Sequence, residues 1–478
     1  MNTGQKNHRP VLNSHNLYRL ENFGHSIYAP VYLQRPVHAG QIEDLMQAAR
    51  KEGFSIGLRG AGRSYGDAAI NSGQVVLDLR RMNRILAWDP EKGIITVEPG
   101  VTIEQLWRYV LDDGWWLPVS PGTMRPTLGG CLGANVHGKN NWVAGTLGEH
   151  VQEFDALLAN GKSVTCSPKK NTDLFYAMIS GMGMLGVMTS ITLKMKKVYS
   201  GNLEVLGWAE PNLERVLQAI DDNKEEDYIV GWVDSTARGR ALGRGQMHKA
   251  RYLQPGEDAN PAVSMNVDNQ DLPDNILGLV PKSMVWRFLR YGMNNWGARA
   301  GNSAKYFASR RLGHMKQHRQ SLVEFTYLLD YVPNWERAYG KRGLIQYQSF
   351  LPKETAYDVF RDILKLSQRR HMPAYLGVVK RHRPDPFLFS HAVDGFSLAL
   401  DFKVSNPKNL GELTRELNQI VLQGNGRFYF AKDSTLTADV VRSYLGEESI
   451  KKFKALKKKY DPDEILQTDL YRRCFTEG

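Results

Sequence analysis

The sequence predicts an α+β protein of two domains. Three observations carry this: the length and composition, the alternation of helical and strand periodicities over the first 200 residues, and a change of texture near residue 200. The chain has 478 residues and mass 54.1 kDa. At roughly 100–200 residues per domain, that length suits two or three domains, each with its own core. Hydrophobic residues make up 42% and charged residues 23%, so a disordered chain is excluded. In the first half, Ile42, Leu45, Met46 and Ala49 fall at i, i+3, i+4 and i+7, an amphipathic helix. Phe54 to Leu58 reads as a strand followed by a Gly-rich turn, and Val75 to Leu79 and Ile94 to Val97 read as two more strands. Residues 101–111 have helical spacing, while residues 121–148 hold seven glycines in a loop-rich stretch. Phe154 to Leu158 and Ser163 to Thr165 bracket Asn160-Gly161, a hairpin signal. Residues 171–179 form a short helix, and Val187, Thr189, Ile191 and Leu193 alternate through a strand.

Beyond residue 200, strands are expected near 203–208, 228–234, 322–330, 344–350, 374–380 and 396–404, interrupted by helices near 211–222, 354–369 and 409–423. From about residue 427 a short strand and then helices close the chain. The expected divisions are therefore 1–200, 201–426 and 427–478. Three cysteines, Cys131, Cys166 and Cys474, exclude a disulfide scaffold, show no metal-ligand spacing and fit a reducing compartment. There is no apolar run of about 18 residues to span a membrane, and the first twenty residues offer no apolar core for a signal peptide.

The formal net charge is +12, which favours a polyanion, an anionic membrane or a phosphorylated ligand. The excess is concentrated. No acidic residue lies between Asp274 and Glu324, and residues 281–320 carry nine Lys/Arg interleaved with Met284, Trp286, Phe288, Tyr291, Trp296, Tyr306 and Phe307. A basic surface insertion without a partner, a membrane or lipid-phosphate contact, and a nucleic-acid contact all fit this pattern. No nucleic-acid motif accompanies it. A second basic run, Lys451 to Lys459, reads as the solvated face of a late helix.

Two motif matches fail on their context. Gly181-Met182-Gly183-Met184-Leu185-Gly186 spells G-x-G-x-x-G, but a helix precedes it and a strand follows, the reverse of the dinucleotide fingerprint. Gly62-Arg63-Ser64-Tyr65-Gly66 spells a nucleophile elbow, but no helix fits between it and the next strand. A third arrangement does fit its context. Arg59-Gly60-Ala61-Gly62-Arg63-Ser64-Tyr65-Gly66-Asp67 follows a strand and can present a nest of backbone N–H groups to an anion. Pro121-Gly122-Thr123 and the stretch from Gly129 to Asn140 supply a second such surface.

At these residues the sequence resembles the vanillyl-alcohol-oxidase superfamily, whose members carry a p-cresol-methylhydroxylase (PCMH) type FAD-binding domain. Within that superfamily it is most similar to the decaprenylphosphoryl-β-D-ribose 2′-oxidase family. The matching segments are Arg63-Ser64-Tyr65-Gly66-Asp67, Pro121-Gly122-Thr123, His137-Gly138-Lys139-Asn140, Gly183-Met184-Leu185-Gly186, Arg337-Ala338-Tyr339-Gly340, Gln346-Tyr347-Gln348 and Ala431-Lys432-Asp433-Ser434. They keep the family's order over most of the chain.

The resemblance implies a two-subdomain FAD domain over residues 1–200, completed by 427–478, and a substrate domain with an antiparallel sheet and helices between them. It implies FAD contacts from Arg59, Gly60, Ala61, Gly62, Arg63, Ser64, Tyr65, Pro121, Gly122, Thr123, Gly129, Gly130, Cys131, Gly133, Asn135, His137, Gly138, Gly186, Val187 and Tyr429. Substrate contacts fall to Lys139, Gln346, Lys380 and Lys432, and catalytic roles to Lys432, His137 and Tyr65. Read on their own, Lys432 could instead anchor its strand through Asp433, His137 could be a satisfied loop histidine, and Lys139 could be an exposed loop lysine.

Two departures from the family stand out. Arg63 occupies the turn where many superfamily members attach flavin covalently to histidine, so FAD should be non-covalent. Ala399 stands where close relatives place a cysteine near the flavin. The implied activity is FAD-dependent oxidation of a sugar secondary alcohol, the 2′-hydroxyl of a polyprenylphosphoryl ribose, as one half of a ribose-to-arabinose epimerisation. A short-chain reductase would be the partner and quinone or oxygen the acceptor. The expected location is cytoplasmic, peripheral at the inner face of the plasma membrane through residues 281–320. A soluble alditol or aldonolactone oxidase is the alternative within the superfamily, and a non-catalytic basic binding protein the one outside it.

Overall fold

The computed structural model describes residues 14–276 and 280–476. The N-terminal stretch read for a signal peptide lies mostly outside these residues. Three larger sheets organise the described residues, beside two two-stranded ones. A four-stranded sheet runs in the order Leu17–Glu21, Tyr28–Gln34, Val75–Asp78, Ile56–Arg59. Its last three strands are parallel, and helix Ala39–Glu52 makes the crossover, burying Ile42, Met46 and Ala49 as the periodicity predicts. A five-stranded antiparallel sheet follows, Ile85–Asp89, Ile94–Val97, Val187–Lys194, Val151–Leu157, Ser163–Cys166. The predicted hairpin is its edge, with Gly161 at φ 82° taking the left-handed turn position. The two sheets share a core in which Leu157 and Val187 meet Ile56 and Leu77.

The second half is one eight-stranded antiparallel sheet. Its order is Lys316–Ser321, Asn202–Glu210, Gly245–Tyr252, Tyr228–Val233, Leu376–His382, Gly395–Lys403, Leu344–Pro352, Arg427–Phe428. Helices Leu213–Asp222, Lys353–Arg369 and Pro407–Gln423 pack on it and bury Ile220, Phe360, Ile363, Leu413 and Leu417. Tyr228–Val233 is buried along its whole length, because helices lie on one face and the rest of the protein on the other.

Three sequence expectations are corrected here. Residues 322–330 are not a strand but helix Leu322–Thr326 and a 3₁₀ turn, Leu328–Asp330; Ser321 caps the helix by accepting from the Glu324 amide. The strands Gly245–Tyr252 and Lys316–Ser321 were not anticipated. The second contains no large apolar residue and lies at an exposed sheet edge, so no hydrophobic alternation could mark it. Within 121–148, the glycines of residues 128–133 form a short helix, Leu128–Gly133, capped by Thr127.

The end of the chain returns to the first sheet. Ile56 donates to the Ile465 carbonyl at 2.6 Å, Gln467 donates to the Ile56 carbonyl at 3.0 Å, and Asp469 donates to Ile70. Helix Glu447–Tyr460 carries the second basic run, and one of its lysines is not solvated. Lys457 is buried and donates to Asp461 Oδ2 at 2.6 Å, the Met184 carbonyl at 2.8 Å and the Leu466 carbonyl at 2.5 Å. Asp461, with no exposure, also accepts the amides of Ile465 and Leu466. Replacing Lys457 with Met would leave Asp461 as an uncompensated buried charge, and such losses cost about 3–5 kcal/mol. Urea unfolding should show that loss for Lys457→Met, while exposed Lys458→Ala should stay within about 0.5 kcal/mol of the parent.

Candidate active site

A cavity of about 570 Å³ lies where the Gly-rich turn, the 121–139 region and the eight-stranded sheet meet. That volume suits a cofactor and part of a substrate. The turn leaves strand Ile56–Arg59 and bends at Gly62, where φ is 66°. At Gly60 a Cβ would sit 2.1 Å from Thr127 Oγ1, so the turn can approach the second loop only with glycine there. The amides of Gly60, Ala61, Gly62, Arg63 and Ser64 find no acceptor among the described residues, whereas the Tyr65 amide donates to Ala431 at 2.9 Å. The G-x-G-x-x-G segment joins helix Thr172–Met178 to strand Val187–Lys194, as its context predicted, and Gly183, at φ 77°, packs on Leu58.

The opposite wall is one face of the large sheet, and strand periodicity decides which residues reach it. Register pairs Gln346 with Asp401, Gln348 with Ala399, Lys380 with Ser397 and Trp232 with Val378. Gln346, Gln348, Trp232, Val378, Lys380, Ser397 and Ala399 all line the cavity. Asp401 belongs to the same face, directly across from Gln346, and is fully buried; its Oδ1 accepts from Gln346 Nε2 at 2.6 Å and its Oδ2 has no partner.

Cations crowd this wall. Lys432 places its Nζ 4.1 Å from the centre of the Tyr65 ring, Lys139 lies 4.3 Å from the Phe325 ring and Lys305 4.4 Å from the Trp232 ring. Burial, with Lys380 nearby, pushes Lys139 down to about 7, and burial pushes Lys380 down to about 8. Burial also lowers Lys432, against the opposing pull of Asp401, whose carboxyl burial raises. No aspartate or glutamate of the described residues lines the cavity itself.

His137 is buried among His382, His391, Phe350 and Tyr429, with ring centroids 4.8–5.5 Å away. Burial and the surrounding cations hold all three imidazoles neutral. Gln348 Nε2 stands 3.2 Å from His137 Nε2 and donates to Ser397 Oγ at 3.3 Å, and Ser397 Oγ meets His382 Nε2 at 2.7 Å. His137 Nδ1, the Tyr65 hydroxyl and Thr326 Oγ1 are buried on lining residues without a partner.

The structure brings nearly all the residues singled out from sequence to this cavity: the turn from Arg59 to Tyr65, residues 121–123, Gly129, Gly130, Cys131, Gly133, His137, Lys139, Gly186, Gln346, Lys380, Tyr429 and Lys432. It does not bring Asn135, Gly138 or Val187. The Asn135 side chain is buried, donating to Thr146 and accepting the Gly148 amide. Gly138 packs against Ser120 and Asn140, and Val187 belongs to the core below. Asp433 does not pair with Lys432; it accepts from Arg473 at 2.9 Å. Asp401, Ser397 and Trp232 were not singled out, because cross-strand register carries no signal in a single strand; Gln348 entered only within the matched segment Gln346-Tyr347-Gln348, and Lys305 only as part of the basic stretch 281–320.

The chemistry of this lining fits FAD. Five unbonded amides beside Arg59 and Arg63 suit a pyrophosphate, and the orphaned polar atoms further along suit a ring system rich in donors and acceptors. Gly66 is the tightest point: a Cβ there would lie 1.5 Å from the Asp433 carbonyl oxygen. Gly66→Ala should therefore spread the turn from residues 429–433, and the variant should purify without the yellow flavin absorbance of the parent. With Arg63 in the turn, acid denaturation of the parent should release its entire flavin content to the supernatant.

The comparisons agree with this chemistry. A model of the FAD binding domain matches residues 30–167. Decaprenylphosphoryl-beta-D-ribose oxidase of Mycolicibacterium smegmatis is 30% identical over 442 residues, 90% of this chain and 92% of that protein. L-gulonolactone oxidase of Mus musculus is 29% identical over 204 residues, 42% of this chain and 45% of that enzyme. A putative D-arabinono-1,4-lactone oxidase of Neurospora crassa is 28% identical over 194 residues, 41% and 32% of the two chains. The shorter matches share a part of the chain, whereas the first runs through both halves of the cavity wall. This chain is a PCMH-type, FAD-dependent oxidoreductase, and it belongs to the family that includes decaprenylphosphoryl-β-D-ribose oxidase.

Proposed function

We propose that the chain oxidises a secondary hydroxyl of a lipid-linked sugar phosphate, the 2′-hydroxyl of a polyprenylphosphoryl ribose, to a ketone. The observation that supports this reading is the set of lysines, Lys139, Lys305, Lys380 and Lys432, around the sheet end of the cavity, where among the described residues no carboxylate lines the wall. Arg59 and Arg63 already attend the cofactor turn, so Lys139 and Lys380 are left for a second anion, the substrate phosphate. A free alditol or lactone carries no charge that would need them. The match to decaprenylphosphoryl-β-D-ribose oxidase over both domains points the same way.

Oxidation removes a hydride from carbon and a proton from oxygen, leaving the ketone. FAD, when bound, supplies the hydride acceptor. The protein supplies the rest. Lys432, lowered by burial, is the group to take the hydroxyl proton, and Asp401 behind Gln346 stabilises the ammonium that results. The Tyr65 ring fixes Lys432 from the other side, and burial keeps its hydroxyl protonated. His137 contributes as a neutral hydrogen-bonding group. Lys139 and Lys380 hold the phosphate. A short-chain reductase would then return the ketone with inverted configuration, completing an epimerisation.

Anaerobic mixing with a polyprenylphosphoryl ribose should bleach the flavin; reduction by a free lactone and not by the lipid-linked sugar would move the assignment to the lactone oxidases. Lys432→Met should slow flavin reduction by about a hundred- to ten-thousand-fold. Because Lys139 and Lys380 are cationic only below about 7 and about 8, KM should be level on the acid side and rise as pH climbs through those values. Lys139→Met should raise KM about 10- to 100-fold and remove the lower step of that profile.

A further inference from the structure

Residues 281–320 form two helices, Lys282–Gly292 and Asn295–Leu312, and the start of strand Lys316–Ser321. The second helix packs its Asn302, Tyr306 and Ser309 face inward. What remains outside is unusual for a water-exposed surface. On the first helix Met284, Phe288 and Tyr291 stand at i, i+4 and i+7, with Phe288 63% and Tyr291 84% exposed. On the second, Trp296 is 83% exposed, and Phe307, about three turns on, continues the same stripe. Leu312, 81% exposed, ends the helix.

Arg299, Arg310 and Arg311 flank this stripe, and Arg287 and Arg290 lie on the first helix. Among the described residues no carboxylate approaches any of these five guanidinium groups. Large aromatic rings and guanidinium groups unpaired by carboxylates are thus exposed together on this helix pair, in a stretch with no acidic residue to oppose an anionic surface. Exposed apolar patches of this kind mark interaction sites. The combination of Trp and Tyr with arginine is the one that suits the headgroup layer, where the ring is part apolar and part polar and the cation meets phosphate. Among the described residues no helix is long and apolar enough to cross a membrane, so any such contact is peripheral.

We propose that this helix pair docks the chain onto an anionic lipid bilayer, with Tyr291, Trp296 and Phe307 at headgroup depth and the arginines on lipid phosphates. Lys305, on the second helix, also lines the cavity. The docking surface and the active site therefore share an element. Resting on the proposed function, this arrangement lets a lipid-borne sugar enter the cavity while its chain stays in the bilayer.

The test is flotation of the full-length flavoprotein with vesicles of phosphatidylcholine alone or mixed with phosphatidylglycerol. The protein should float with the mixed vesicles, release as salt is raised, and stay behind with phosphatidylcholine alone. Substituting Arg299→Gln, Arg310→Gln and Arg311→Gln should weaken partition by about fivefold per charge. Tyr291→Ser with Trp296→Ser should weaken it at unchanged charge, and both variants should keep the parent's flavin absorbance and circular dichroism. Failure to float, equal binding to both vesicle types, indifference to both sets of substitutions, or displacement from the vesicles by equimolar single-stranded DNA would each overturn the proposal. Flotation needs no turnover, so a wrong substrate assignment would leave this result untouched.

Discussion

Arg473 holds the two ends of the chain together. Its guanidinium donates to Asp67 at 2.7 and 2.9 Å and to Asp433 at 2.9 Å, joining the Gly-rich turn to the segment that carries Lys432. The Tyr65 amide bonds Ala431, and Gly66 lies against the Asp433 carbonyl with no room for a side chain. Two motifs more than three hundred and fifty residues apart are thereby fixed in one register. This contact sets one side of the cavity. The turn can offer its amides to a pyrophosphate only where it meets residues 429–433, and Lys432 can lie over Tyr65 only because both are clamped. Removing one partner of such a charge network exposes the others to an uncompensated desolvation cost.

The same clamp sets up an electrostatic debt. Burying several lysines with one carboxylate behind them is unfavourable, since each ammonium gives up water without a matched anion. The fold holds them because the sheet, the helices behind it and the C-terminal return all pack independently of the cavity contents. An anionic cofactor relieves part of the repulsion, and so would the phosphorylated substrate we propose. Ligand binding and stability are therefore coupled through charge as well as through mass action. A neutral sugar would occupy the space without relieving anything, and for that reason the proposed substrate class rests on lysine placement and not on cavity volume.

Legibility in the sequence tracked how local the determinant was. The glycine turn could be read because its requirement, glycine after a strand, is written in consecutive residues, and Gly60 and Gly62 meet it. The hairpin at Asn160-Gly161 and the helix at residues 39–52 were legible for the same reason. Asp401 was not, because its meaning depends on pairing with Gln346 across two strands and on its complete burial there. Strand Lys316–Ser321 carries no apolar signal at all, and Lys457 looked like its solvated neighbours until the chain end folded over it. Asn135, Gly138 and Val187 show the reverse case, expected at the cavity and found outside its lining. They sit inside or beside motifs that do line the cavity, yet each serves the scaffold that holds those motifs.

The histidines separate positioning from proton transfer. A base must exist in both protonation states near working pH. His137 does not meet this condition: it is buried, the Lys380 cation lies nearby, and His382 and His391 pack against its ring. Each of these disfavours an imidazolium. With the Gln348 amide donating to Nε2, the ring proton rests on Nδ1, and that atom has no partner in the protein. His137 is thus a fixed neutral donor at the cavity wall, held in one tautomer by Gln348 and, through Ser397, by His382. Lys432 differs in the one respect that matters. Asp401 lies close enough to stabilise its charged form while burial favours the neutral one, so both forms are accessible. Two nitrogen bases on one cavity wall are in this way given different tasks by their surroundings alone.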